Sequence, residues 1–227
     1  MSPDRRRAAK NALFDAFASI GRALSSGRRA ELVELLSQGE RTVEELATQI
    51  DQSIANTSHH LRTLARAGLV TTRRRGTHVH YQLASNDVLE LWWVTRKVAV
   101  SQVENLDELA HDYLGERADI EVITRDQLLE RLERGEVIVV DVRPEAEYAA
   151  GHLPGAISIP PHRIDDLLDD LPADRDVVAY CRGPYCVYAD DAVRALTARG
   201  RHAVRLEDGL PEWRNSGGPV ERHAFPA

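Results

Sequence analysis

The chain has 227 residues and a formal net charge of −7, which is enough for two ordinary domains. No apolar run approaches the roughly 20 residues that span a bilayer, so a membrane-embedded protein is excluded at this level. Residues 1–85 hold 13 Lys and Arg against 8 Asp and Glu, and residues 118–227 hold 13 against 21, so a basic part of +5 precedes an acidic part of −8. The two parts are expected to meet different partners, with the basic one the candidate for nucleic acid.

The MSPDRRRAAK start is basic but lacks the apolar core of a secretory signal. It reads as a disordered arm on a soluble, cytoplasmic protein. From Asn11 to about Leu24 and from Gly27 to Ser37, apolar residues recur at three and four, as in Leu32, Leu35 and Leu36, predicting two amphipathic helices. In TVEELATQI, Thr42 with Glu45 three residues on forms a capping box and starts a third helix. After Ile50 the short break DQ leads into SIANTSHHLRTLARAG, with Ile54, Leu61, Leu64 and Ala65 assigned to one face and Gly68 as the stop. This is helix, tight turn, helix.

LVTTRRRGTHVHYQL then reads as two strands joined around Gly76, with Val70, Val79, Tyr81 and Leu83 alternating with polar residues. A helix-turn-helix followed by a basic hairpin is a winged helix. Off the apolar face of the second helix lie Asn56, Thr57, Ser58, His59, His60, Arg62 and Thr63. Short polar side chains and imidazoles near a helix N-terminus suit base edges in a major groove. Arg73, Arg74, Arg75 and His78 in the hairpin suit phosphates or a minor groove, with a strong dependence on salt. The histidines at 59, 60, 78 and 80 do not read as a metal site, because two of them are adjacent on a helix and cannot easily converge.

The phrase SHHLRTLARAGLV followed by a basic hairpin resembles the reading helix and wing of the arsenical-repressor (ArsR/SmtB) family, over roughly residues 8–112. The resemblance implies a repressor that binds double-stranded DNA at a palindromic operator as a two-fold homodimer. Members that sense arsenite or soft metals on the first helix of the motif use a pair of cysteines, and VEELATQI has none. Others hold a metal on the last helix. Here Glu104, Asp107, Glu108 and His111 have the spacing for it, but such residues on an exposed helix are ordinarily a solvated face, so no metal is assigned. Val88 to Tyr113 has the length of one helix of about 25 residues. It carries Leu89, Trp92, Trp93, Val100, Val103 and Leu106 and is expected to pack against its copy.

Gly115 and the polar residues after it mark a boundary within YLGERAD. The domains are therefore set at 1–114, for DNA binding and dimerisation, and 119–227. From residue 120, EVI, DQLLERLERG, VIVVDV, AISIP, IDDLLDDL, VVAY, a further helix and HAVRL alternate strand and helix. That order predicts a mainly parallel sheet covered on both faces. The fold class is thus multidomain: a mainly α winged helix followed by an α/β domain.

Sites in such sheets lie at the carboxyl ends of strands. Asp141 and Arg143 stand at one such end. At another, VVAYCRGPYC places the only two cysteines, Cys181 and Cys186, in a loop of Arg182, Gly183, Pro184, Tyr185 and Val187 ahead of a helix. Loop N–H groups and the positive end of the helix dipole favour an anion there. A thiolate is the nucleophilic form of cysteine, and Arg182 adds positive charge nearby. The plainer reading, two small core residues, fits poorly with a Gly-Pro loop. A structural disulfide fits poorly with a chain that lacks a secretory signal.

DVRPEAEYAAGHLPGAISIP, VVAYC and DGLPEWRNSGGPV together resemble a single-domain rhodanese, and Cys181 falls where that family has its catalytic cysteine. The resemblance implies that Cys181 takes a sulfane sulfur from a donor such as thiosulfate or polysulfide, becomes a persulfide and passes the sulfur on, with no cofactor. Phosphatases and arsenate reductases of related fold need an Arg where this loop has Val187, so their chemistry is disfavoured. Cys186 replaces a commoner polar or basic residue. It could attack a persulfide on Cys181 and leave a disulfide, or trap sulfur as a polysulfide bridge. Three functions follow: a repressor whose rhodanese domain is its sulfur sensor, a sulfurtransferase merely tethered to DNA, and an arsenite sensor using both thiols.

Overall fold

The computed structural model describes residues 2–222, and these form two compact units that divide after Lys97. In the first, α1 (Pro3–Leu24) begins eight residues before the predicted Asn11, so the basic start is helical rather than a disordered arm. Its start is explained by local chemistry: Ser2 accepts from the Arg5 N–H, Pro3 takes the first helical position and Asp4 complements the dipole. α2 (Gly27–Ser37) follows. β1 (Arg41–Thr42) leads into α3 (Val43–Gln49), where both hydrogen bonds of the Thr42/Glu45 capping box form. Asp51, with φ of 50°, makes the turn into α4 (Ile54–Arg66). Aspartate tolerates this left-handed conformation better than most residues.

β2 (Val70–Arg75) and β3 (His78–Leu83) pair antiparallel, with Arg75 opposite His78, so the hairpin turns at Gly76 and Thr77. β1 adds a third strand beside β3. The core of this unit gathers Leu32, Leu36, Leu46, Ile50, Leu61, Leu64 and Leu69. α5 (Asn86–Gln102) and α6 (Leu106–Leu114) replace the single helix expected from Val88 to Tyr113. The chain turns between Gln102 and Leu106, where Leu106 N–H donates to the Val103 carbonyl instead of one a residue earlier.

Besides the end of α5 and α6, the second unit contains β4 (Val122–Ile123), α7 (Arg125–Glu133), β5 (Val137–Asp141), α8 (Glu145–Ala150) and β6 (Ile157–Ser158). They are followed by α9 (Ile164–Leu167), β7 (Asp176–Tyr180), α10 (Tyr188–Ala198), β8 (Ala203–Leu206) and α11 (Leu210–Asn215). The strands form one parallel sheet in the order β4-β8-β7-β5-β6. Alternation along β5 and β7 fills both faces. Ile138, Val140, Val177 and Ala179 pack with α10, whereas Val137, Val139, Val178 and Tyr180 pack with Leu128 and Trp213. A sheet covered on both sides reads as continuous apolar runs, as VIVV and VVAY do. Among the described residues no helix is long and apolar enough to cross a membrane.

Candidate functional site

The site lies at the carboxyl end of β7, the middle strand of the sheet. Cys181 follows Tyr180 directly and is joined to Cys186 as a disulfide. Both cysteines are nearly buried within the cluster that includes Ala179 and Ala189. Gly183, with φ of 143°, and a hydrogen bond from Cys186 N–H to the Gly183 carbonyl of 3.2 Å fold the loop back. Five residues of spacing therefore bring the sulfurs together.

The loop is braced from three sides. Below it, Asp141 and Arg143 are both fully buried and paired, with Arg143 Nε 2.9 Å from Asp141 Oδ1 and Arg143 Nη2 2.7 Å from the Gly151 carbonyl. The Tyr180 hydroxyl donates to Asp141 Oδ2 and accepts from Leu153 N–H at 3.0 Å. Burial first, and then the Asp141 carboxylate, push the Tyr180 phenol well up, so it remains a donor. Asp141 and Arg143 thus hold the strand end in place. Both stand at the strand end where the sequence places them, and neither side chain reaches solvent.

The second side is the segment after β8. Leu210 N–H donates to the Cys181 carbonyl, and a Cβ on Gly209 would lie 2.3 Å from Arg182 C and Gly183 N. Only glycine permits that approach. Pro184, partly exposed, and Tyr185, the exposed tip, turn the loop toward Val187 and α10.

Arg182 does not stand free beside the thiols as expected. Its Nε lies 3.0 Å from both Glu147 oxygens, and Glu147 is fully buried. Burial alone would lower the Arg182 guanidinium, but the Glu147 carboxylate more than offsets this and raises it. The pair is neutral overall, so the local cation expected from Arg182 is cancelled. Nothing near Arg182 in sequence marks Glu147 as its partner.

The third side carries the positive charge that sequence reading missed. Arg117 Nη1 donates to the Pro184 carbonyl at 2.8 Å, its Nη2 donates to the Cys186 carbonyl at 3.1 Å, and its Nε donates to Asp190 at 2.6 Å. Arg205 Nη2 donates to the Gly183 carbonyl at 2.9 Å. Its Nε stands 3.0 Å from Asp190 Oδ1 as an ion pair, outside hydrogen-bond geometry.

In the first unit, Asn56, His59 and Arg62 are exposed along α4, with Ser58 and Thr63 partly so. Thr57 is the exception among the predicted contacts: it is fully buried and its hydroxyl donates to the Ser53 carbonyl. Thr57, Leu61 and Leu64 form the buried stripe, at spacings of four and three, whereas Ile54 and Ala65 are exposed. That spacing was the signal for Thr57's place. His60 is half-turned inward, with Nδ1 buried and without a protein hydrogen bond. Arg73, Arg74 and His78 are exposed on the wing, and Arg75 Nη1 lies 2.6 Å from Glu40. Among the described residues no group of three or more His, Cys, Asp or Glu gathers as a metal site. Glu104 in particular sits in the break between α5 and α6, apart from Asp107, Glu108 and His111 on α6.

A winged helix-turn-helix and a doubly covered parallel sheet with a cysteine loop at its carboxyl edge define a DNA-binding regulator fused to a rhodanese-like domain. Residues 26–72 match the bacterial regulatory protein, arsR family, and residues 124–216 match the rhodanese-like domain. The HTH-type transcriptional regulator Rv0324 of Mycobacterium tuberculosis is 47% identical over 215 residues, which cover 95% of this chain and 94% of that protein. The chain belongs to the ArsR-family transcriptional regulators that carry a C-terminal rhodanese domain. A protein of Allochromatium vinosum named Sulfurtransferase is 35% identical over 99 residues, 43% of this chain and 92% of its own length. The homodimeric winged helix-turn-helix domain Mb0332 of Mycobacterium bovis, solved by NMR, is 41% identical and covers 42% of this chain and 89% of that one, with a TM-score of 0.41.

Proposed function

We propose that this regulator senses sulfane sulfur through its cysteine loop and changes its affinity for DNA in response. The observation that carries the reading is the Cys181–Cys186 disulfide at the end of the central strand, because it puts the second thiol where a persulfide would form. Cys181 thiolate attacks the outer sulfur of polysulfide or thiosulfate, the donor's S–S bond breaks, and the shortened polysulfide or sulfite leaves, so that Cys181 carries a persulfide. Cys186 thiolate then attacks Cys181 Sγ, the bond to the outer sulfur breaks, and that sulfur leaves as hydrosulfide. The two cysteines are oxidised by two electrons and the sulfane sulfur is reduced. A thiol pair that cycles in this way suits the reducing cytoplasm.

The DNA-facing half of the reading places α4 in a major groove, with Asn56, His59 and Arg62 toward bases and the wing arginines on phosphates. Exposed Phe14 and Phe17 on α1, with Val94 on α5, supply apolar surface for a two-fold dimer on a palindromic operator, acting as a repressor. A cooperative switch requires that sulfuration stabilise one DNA-binding state over the other.

Operator affinity of the full chain is measured by fluorescence anisotropy at fixed salt, before and after polysulfide and then reductant. A reversible change of at least about tenfold, roughly 1.4 kcal/mol, is expected. Cys186→Ser should still form the persulfide at Cys181, seen by mass, but lose the response. An unchanged response in that variant rejects the two-thiol switch. A second reading, a sulfurtransferase tethered to DNA, is favoured by the likeness to the Allochromatium protein. It expects steady sulfur transfer with no change in DNA affinity.

A further inference from the structure

Arg117, Asp190 and Arg205 lie outside the loop, yet the two arginines donate to three of its carbonyls. Asp190 is 1% exposed as a side chain and is shared between the two guanidiniums. The two guanidiniums face the carbonyl side of the loop with Asp190 between them, while the Glu212 carboxylate faces the loop from α11, where a Cβ on Gly183 would lie 3.3 Å from it. By contrast Arg182, the cation inside the loop, is cancelled by Glu147.

Peptide planarity turns this arrangement into an orientation. The C=O of one residue and the N–H of the next point in opposite directions across a trans peptide. Fixing the Pro184 and Cys186 carbonyls on Arg117 therefore directs the N–H groups of Tyr185 and Val187 away from that guanidinium. Arg205 fixes the Gly183 carbonyl in the same way, but the next residue is proline and has no N–H to direct. N–H groups aimed to one side favour an anion there, and the Cys186 N–H that lies between those of Tyr185 and Val187 is engaged by the Gly183 carbonyl.

We propose that Arg117 and Arg205, bridged by Asp190, are positioning residues for the cysteine loop. They set the direction of its peptide dipoles, place two cations on its carbonyl side that favour thiolate and persulfide at Cys181, and hold Cys186 within reach of Cys181. The inference deepens the sulfur-sensing reading and rests on it for the persulfide, but its thiolate half can be tested without sulfur. It assigns two separable effects to Arg117: its charge acts on the thiol, and its two-pronged fork, donating to two carbonyls at once, acts on closure. Lysine has the charge without the planar fork.

The reduced full-length protein in a Cys186→Ser background is alkylated with iodoacetamide across a pH series, with peptide mass mapping of Cys181. Arg117→Met should raise the apparent Cys181 pKa by about one unit or more, as loss of a nearby opposite charge does. Arg117→Lys should leave it near the parent value. With Cys186 restored, the rate of disulfide closure after one equivalent of polysulfide should fall at least about tenfold in both variants. Superimposable alkylation profiles in Arg117→Met and parent would overturn the electrostatic role. Closure at the parent rate in Arg117→Lys would overturn the fork. If Arg117→Met does not fold, Arg117→Lys and Arg205→Lys carry the closure test, and parental closure in both rejects the proposal. Failure of the parent protein to form any persulfide, with a normal alkylation shift in Arg117→Met, would remove the sulfur reading and leave the positioning role standing.

Discussion

In the wing, Arg73 and Arg74 stand exposed on a hairpin, whereas in the second unit Arg143 and Arg205 are buried and Arg182 is mostly so, each against a carboxylate. An exposed cation keeps its field for a partner that arrives from outside, and screening by salt reaches it fully. A buried one has its charge balanced inside the fold, so removing its carboxylate leaves an uncompensated ion. The same residue type thus marks an interface in one unit and internal bracing in the other. Regional net charge, +5 over residues 1–85 against −8 over 118–227, separates the two parts of the chain but not these roles.

The largest effect that would break the comparison is at the bracing. Asp141→Asn strands the Arg143 guanidinium, fully buried, and weakens the acceptor of the Tyr180 hydroxyl. A loss of about 3–5 kcal/mol is expected in the unfolding of the second unit, read by calorimetry or denaturant titration. The double change Asp141→Leu with Arg143→Met should recover part of it, since replacing both charges removes the orphan ion. A loss below about 1 kcal/mol in Asp141→Asn would mean that the pair is no brace.

On the wing the expected effect is smaller and of another kind. Arg73→Ala should weaken DNA binding similarly for all sequences and reduce the slope of log affinity against log salt by about 0.9, the share of one phosphate. Arg75→Ala should cost less, because Arg75 leaves its ion pair with Glu40 to reach DNA. The measurement is an anisotropy titration over a salt series with operator and unrelated duplexes. Parental salt slopes in Arg73→Ala would take the wing off the phosphates.

The difference between the arginines also explains what sequence could carry. The Thr42/Glu45 capping box and the VIVV and VVAY strands are local patterns, and each is found where it was expected. The bracing is not local: Glu147 is 35 residues from Arg182, and Arg117 is 67 from Pro184, so no spacing rule links them. The break between α5 and α6 was hidden for a different reason. Val100, Val103 and Leu106 continue the apolar period through it, and Asn105 and Asp107, weak helix formers, are the only local sign. Thr57 is polar, yet it stands four residues before Leu61 on the buried stripe, so its spacing and not its polarity decides its place.

The smallest effect tests whether the DNA-facing helix is wholly an external surface. His60 lies on α4 beside exposed His59, but its Nδ1 is buried without a protein hydrogen bond. Desolvation by burial, and then Arg29, His59 and Arg28, lower its pKa below the ordinary 6.5. The folded state therefore binds fewer protons than the unfolded state in the window between the lowered value and 6.5. Stability of the first unit should rise with pH through that window and be flat above it. His60→Gln removes the titration and should flatten the wild-type slope below the window's upper edge, by no more than about 2 °C in Tm. The check is thermal unfolding at constant ionic strength from about pH 5 to 8, the range in which histidine changes charge. An unaltered slope in His60→Gln would mean that the imidazole titrates as a solvated side chain. His60 would then join Asn56, His59 and Arg62 on the outward face instead of the packed one.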